Sequence, residues 1–141
     1  MLAAMPPITP FVALRLLLVG LHLLHGAGQA GLLFPLLGEP WRQRLKRAWS
    51  RQLLALLGIR VETVGYLAEI DRGLLVGNHI SFLDIFLINA VLPSAFVAKS
   101  DVARWPLIGW LARRTGTVFI QRGSRKAAHV TQQQMLATLG T

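Results

Sequence analysis

The sequence predicts an α/β fold in which N-terminal membrane-associated helices precede an incomplete, largely parallel sheet with flanking helices. Three observations lead there. Residues 16–38 contain no formal charge. Residues 41–57 interleave tryptophan, leucine and basic side chains at helical spacing. From about residue 60, short β-branched runs alternate with helix-like segments, the pattern of strands joined by crossover helices. A chain of 141 residues accommodates one domain of ordinary size. Within it the change of pattern separates a membrane-associated helical segment, residues 1–58, from an α/β domain, residues 59–141.

Composition narrows the partners. Hydrophobic residues make up 53% of the chain and charged residues 15%, which is apolar for a soluble domain. The formal net charge is +9, from 15 Lys and Arg against 6 Asp and Glu, and such a surplus favours a polyanionic surface. Apolar and basic excess together favour a membrane. The basic residues cluster beside an apolar stretch and no aromatic-basic recognition motif is present, so nucleic acid is not an expected partner. The absence of cysteine excludes disulfides, thiolate nucleophiles and zinc-thiolate sites.

Each element has its own warrant. Residues 16–38 are long enough for a membrane span, which needs roughly 20 apolar residues. His22, His25, Gln29, several glycines and Pro35 argue equally for a shallow or hairpin-like insertion. A signal peptide, with Gly28-Gln29-Ala30 as its cleavage site, is a third reading, weakened because no charged side chain precedes Arg15. In residues 41–57, Trp41, Leu45, Ala48, Trp49, Leu53 and Leu56 recur at helical spacing, with Arg42, Arg44, Lys46, Arg47 and Arg51 between them. That suits a helix lying in the membrane interface, or a solvated helix packed on a core. If the apolar stretch spans once, the basic residues after it place the rest of the chain in the cytoplasm. Residues 60–64 and 73–76 read as strands with 71–73 as their turn. Residues 83–92 read as a helix stopped by Pro93, and 95–98 as a strand. Residues 106–114 read as a helix with proline in its first turn and Gly116 as its C′ residue. Residues 117–120 read as a strand, and Ser124 caps a last helix running toward residue 139.

The chemistry is concentrated in Asn78-His79-Ile80-Ser81-Phe82-Leu83-Asp84. A histidine oriented by a carboxylate is the usual device for drawing a proton from a hydroxyl near neutral pH. On a regular helix, residues five apart are separated by about 140° and cannot meet. They can meet if His79 lies in the loop before a helix, Ser81 is its N-cap and Asp84 is its N3 residue. One imidazole nitrogen then faces the carboxylate and the other faces outward, the base-plus-orienter arrangement of a catalytic triad without its serine. The same residues satisfy a capping box, in which Asp84 only caps a helix.

The wider context resembles a known family. Asn78-His79-Ile80-Ser81-Phe82-Leu83-Asp84 is similar to the Asn-His-x4-Asp signature of the glycerolipid acyltransferases, the 1-acylglycerol-3-phosphate (lysophosphatidic acid) acyltransferase family. Phe96-Val97-Ala98-Lys99 through Trp105-Pro106-Leu107-Ile108-Gly109-Trp110 resembles the segment between that family's first and second motifs. Gly116-Thr117-Val118-Phe119-Ile120-Gln121-Arg122 resembles its second motif, with Gln121 where the family usually has aspartate. The likeness runs over residues 74–125.

The resemblance implies an acyltransferase moving a fatty acyl group from acyl-CoA or acyl-carrier protein to the free hydroxyl of a lysolipid. The acceptor expected first is 1-acylglycerol-3-phosphate, and a lyso-ornithine lipid is the alternative. His79 would be the general base and Asp84 its orienter, while Arg122, Lys99 and Gly116 would bind the acceptor, the two cations taking its phosphate. No metal and no resident cofactor are expected; the acyl thioester enters as co-substrate. The implied location is the cytoplasmic side of the inner membrane. The family's third motif, Phe-Pro-Glu-Gly-Thr, and its fourth, proline-containing motif are not in these 141 residues. The expectation is therefore an N-terminal part of the enzyme with little or no activity alone, or an inactive membrane-binding fragment.

Overall fold

The computed structural model describes residues 9–65 and 73–120, together with His129, Gln132, Gln133, Leu136 and Ala137, which are helical. The architecture is mostly helical with one small parallel sheet. The N-terminal helix α1 spans Pro10–Gly28. Thr9 caps it, its hydroxyl accepting from Val12 N at 3.4 Å, and Pro10 occupies its first turn, where a missing N–H is harmless. The helix continues as a π-turn over Gln29–Leu33, closed by Phe34 N donating to the Gln29 carbonyl at 3.1 Å. Residues 10–33 are long and apolar enough to cross a membrane, with mean hydropathy 1.6, and no residue of the α1 helix proper is buried.

Helix α2 spans Glu39–Leu56. Glu39 lies in its first turn, where a carboxylate complements the helix dipole, and it pairs with Arg42 and Lys46, each at 3.9 Å. The predicted apolar stripe packs inward over its C-terminal half, while Trp41 and Ala48, earlier along it, stay exposed. Ser50, Leu53 and Leu54 are buried and Trp49 is half-buried, whereas Trp41 is exposed with the Arg44 guanidinium 4.8 Å over its ring.

The tryptophan is the joint between three helices. Its indole stacks on His22 of α1 at 4.9 Å with an interplanar angle of 11°. Its Nε1–H donates to the His22 carbonyl at 3.0 Å, and His22 Nε2 lies 3.0 Å from the Trp49 carbonyl. A carbonyl only accepts, so His22 Nε2 carries the proton. A Cβ at Gly26 would overlap the indole, so glycine is what lets α1 approach. Arg15 lies against Gly58 while His22 lies against Trp49, so the two helices run antiparallel.

Helix α3, Leu83–Val91, packs on α2. Phe86 meets Trp49 edge-on at 5.6 Å, and Arg51 Nε donates to the Ala90 carbonyl at 2.8 Å, satisfying an acceptor in the last turn of α3. Strand β1, Val97–Lys99, pairs in parallel with β2, Val118–Ile120, in the register Val97↔Val118 and Lys99↔Ile120. The connection runs through a 3₁₀ helix, Ser100–Arg104, and helix α4, Ile108–Arg114. Trp110 of α4 lies against Gly31 of the π-turn, joining the sheet half to the helical half.

The predicted strands at 60–64 and 73–76 do not form. Their backbone is irregular and their side chains are exposed, Val64 by 91% and Val76 by 82%. β-branched composition favours a pleated surface only where a neighbouring strand supplies the ladder, and none pairs with them among the described residues. Helix α4 starts two residues later than predicted, because Leu107 takes φ +60° and leaves Pro106 outside. The C′ role expected of Gly116 is met. At φ +84° it donates to the Arg113 carbonyl at 3.2 Å while Thr117 N donates to Ala112 at 2.9 Å, a Schellman closure. Residues 71 and 72 of the predicted turn, and Ser124, lie outside the described residues.

Replacing Trp49 tests the joint. Trp49→Ala should lower unfolding free energy by about 3 kcal/mol, the low end for a large aromatic because the ring is only half-buried. Trp49→Phe keeps the stacking and loses the bond to His22, so it should cost about 1 kcal/mol. Chemical denaturation in detergent followed by circular dichroism measures both.

Candidate active site

The candidate site is built on the entry to α3. Ser81 Oγ accepts from Leu83 N at 3.2 Å, and the Ser81 carbonyl accepts from Asp84 N at 3.0 Å, so Ser81 serves as the N-cap one residue before the fully helical turn. The Asp84 carboxylate reaches back over this turn. Its Oδ2 accepts from Ile80 N at 2.8 Å and from Ser81 N at 3.0 Å. His79 Nδ1 lies 3.0 Å from the same oxygen. Capping box and histidine–carboxylate pair, alternatives in the sequence, are here one structure sharing one oxygen.

The electrostatics follow from that geometry. The backbone N–H of Ser81, then that of Ile80, and then the neighbouring His79 hold the Asp84 carboxyl below the usual carboxylate range. An ionised carboxylate only accepts, so His79 Nδ1 donates and, in the neutral ring, Nε2 presents its lone pair away from Asp84. The imidazole is 68% exposed and Asp84 24% exposed, so the outward nitrogen is open to a reactant while the acid is sheltered.

The other predicted residues are placed differently. Lys99 ends β1, and its ammonium pairs with Asp101 of the 3₁₀ helix. That ion pair is the largest influence lowering the Asp101 carboxyl, and Arg104 adds to it from 3.5 Å. Lys99 forms no hydrogen bond or ion pair with His79 or Asp84. Gly116 sits at the turn that feeds β2. Arg122 lies outside the described residues. Among the described residues no group of three or more His, Asp or Glu side chains is placed to hold a metal ion. A shallow groove of about 450 Å³ is lined by His22, Gln52, Ala55 and Leu56, none of them candidates.

Two supports escaped the sequence reading. The amides of Ile80 and Ser81 carry no side-chain signature, although the capping-box pattern implies one of them. Arg51, which holds the far end of α3, binds a carbonyl 39 residues away, and no local signal pairs them.

Comparison with known proteins turns this geometry into a family assignment. The family model described as Acyltransferase matches residues 58–141, more than half of the chain. The chain belongs to the Acyltransferase family. The match covers His79, Asp84, Lys99, Gly116 and Arg122 and leaves α1 and α2 outside. The chain is similar to a lyso-ornithine lipid O-acyltransferase of Pseudomonas aeruginosa, 44% identical over 94 residues, covering 67% of this chain and 36% of that protein. It is similar to a 1-acyl-sn-glycerol-3-phosphate acyltransferase of Neisseria gonorrhoeae, 39% identical over 99 residues, covering 70% of this chain and 39% of the relative. A yeast 1-acyl-sn-glycerol-3-phosphate acyltransferase, from Saccharomyces cerevisiae, is 31% identical over 86 residues, covering 58% of this chain and 28% of the relative. The chain thus spans little more than a third of the length of the first two relatives. No solved structure matches it.

The depressed Asp84 carboxyl makes a signed prediction for the stability of this chain. A carboxyl lowered in the folded state contributes stability that is complete above its unfolded value, about 4, and is lost as pH falls through the lower folded value. The denaturation midpoint should therefore fall below about pH 4. Asp84→Asn should be less stable at neutral pH and lose part of that acid dependence, leaving the share that Asp101 supplies. Identical acid profiles for wild type and variant would contradict the role of the carboxylate.

Proposed function

We propose that this chain carries the hydroxyl-activating part of a lysolipid acyltransferase. The observation that supports it is the 3.0 Å contact of His79 Nδ1 with a carboxylate held ionised by two backbone amides, with the rest of the ring open. His79 Nε2 takes the proton from the acceptor hydroxyl. The oxygen attacks the thioester carbonyl of acyl-CoA or acyl-carrier protein, the C–O bond forms and the C–S bond breaks. The proton passes from the imidazolium to the departing thiolate. Asp84 keeps the tautomer and stabilises the imidazolium while it exists. No covalent acyl-enzyme is required.

The acceptor is a lysolipid, in keeping with the names of the relatives. For 1-acylglycerol-3-phosphate, Lys99 and Arg122 supply the cations for its phosphate. Lys99 stands at the carboxyl end of a parallel strand, where open α/β sheets bind ligands. A lyso-ornithine acceptor is the second reading, favoured by the 44% identity to the Pseudomonas protein.

The protein works at a membrane, on its cytoplasmic face. The exposed apolar helix α1 and the basic residues of α2 support this. The antiparallel pairing of α1 with the charged α2 supports shallow insertion over a full span, since a spanning α1 would draw arginines into hydrocarbon. Residues 1–58 are then the membrane segment and 59–141 the α/β part of the enzyme.

A chromosomal His79→Ala allele provides the test. Membranes from the two strains are given labelled acyl-CoA with lysophosphatidic acid or lyso-ornithine lipid in separate reactions. Transfer to one acceptor should fall about 10²–10⁴-fold in the variant, the range of general-base catalysis. Equal turnover would remove His79 as the base.

A further inference from the structure

Exposed apolar side chains recur far from α1 in sequence. From the end of the 3₁₀ helix to the first residue of α4, Trp105 is 57% exposed, Leu107 58% and Ile108 50%. Leu107 is the one non-glycine residue with positive φ among the described residues, and such a conformation persists only where its surroundings enforce it. Those surroundings are visible. Pro106 restricts one side, and Gly109 packs so closely on the Ala103 carbonyl that a Cβ would overlap it. The loop is braced again by Arg113, whose Nη1 donates to the Ala103 carbonyl at 2.8 Å. The apolar tip is thus held outward by a rigid base.

Two further observations say what it meets. Arg104, which shares Asp101 with Lys99, and Arg113, which donates to the Ala103 carbonyl, are exposed at the base of the loop, and exposed Arg114 lies over Trp110, so cations stand on the same side of the molecule as the apolar tip. Two residues beyond Ile108, Trp110 rests on Gly31, beside the exposed Leu32, Leu33 and Leu36 at the end of the apolar helix. Apolar insertion, an interfacial tryptophan and a basic rim are the chemistry of an anionic bilayer surface.

We propose that the loop Trp105-Pro106-Leu107-Ile108 is a second membrane-contact element, which enters an anionic lipid surface beside the end of α1. This rests on the membrane reading of α1 and goes beyond it. Two anchors, one on each half of the molecule, would fix the angle at which the half carrying His79 and the half carrying Lys99 meet the bilayer holding the lysolipid.

The chain has no cysteine, so single labels are simple to introduce. Leu107→Cys, Leu24→Cys and Arg60→Cys are each labelled with an environment-sensitive NBD dye. They are mixed with vesicles of phosphatidylglycerol and phosphatidylethanolamine, with circular dichroism confirming the fold of each. The labels at 107 and 24 should brighten several-fold, shift to the blue and be quenched by nitroxide lipid, while the label at 60 should not. A response at 24 without one at 107 overturns the proposal and leaves the membrane reading of α1 intact. No response at either site removes both. A label at 107 already shielded before vesicles are added, and indifferent to them, shows a protein surface there and also overturns it. Arg104→Gln in the Leu107→Cys background should bind anionic vesicles about fivefold more weakly, the worth of one cation at such a surface. Unchanged affinity would strike out the basic rim.

Discussion

The indole of Trp49 is the contact on which the arrangement of α1, α2 and α3 depends. It stacks on His22, donates to the His22 carbonyl, and meets Phe86 edge-on. One side chain therefore sets the apolar N-terminal helix, the basic helix and the helix carrying Asp84 against each other. Gly26 makes this possible by removing the Cβ that would occupy the same space. Arg51 completes the arrangement by holding the last turn of α3, so that both its middle and its end are fastened to α2.

On that fastened helix, the site itself is a local object. Three N–H donors converge on Asp84 Oδ2: the amides of Ile80 and Ser81, and the His79 ring. The amides do two things at once. They close the helix N-terminus, as a capping box does, and they keep the carboxylate ionised so that it can hold the imidazole tautomer. Capping of the helix and orientation of the imidazole are the same hydrogen-bond network here, which is why neither role excludes the other.

The comparisons extend this from chemistry to family. The match to the Acyltransferase family covers the sheet half and α3 but not α1 or α2. Helix α2 nevertheless carries the contacts that position α3, and α1 packs on α2 through the same Trp49. The part of the chain most characteristic of a membrane setting and the part that carries the histidine are thus mechanically connected through Trp49 and Arg51.

What could be read directly from the sequence was whatever depends on near neighbours. The His79–Asp84 pair, the Ser81 cap and the glycine closure at Gly116 all form within a few residues, and short-range steric and hydrogen-bonding rules determine them. The existence of α1, α2, α3 and both observed strands was legible for the same reason. Tertiary structure alone decided which face of α2 is buried, because His22 and Phe86 are supplied from distant segments. It also decided that 60–64 and 73–76 stay irregular, since a strand exists only where another strand receives its hydrogen bonds. The outward set of Leu107, against the rule that non-glycine residues avoid positive φ, follows from the packing of Gly109 on the Ala103 carbonyl and could not be read from sequence spacing.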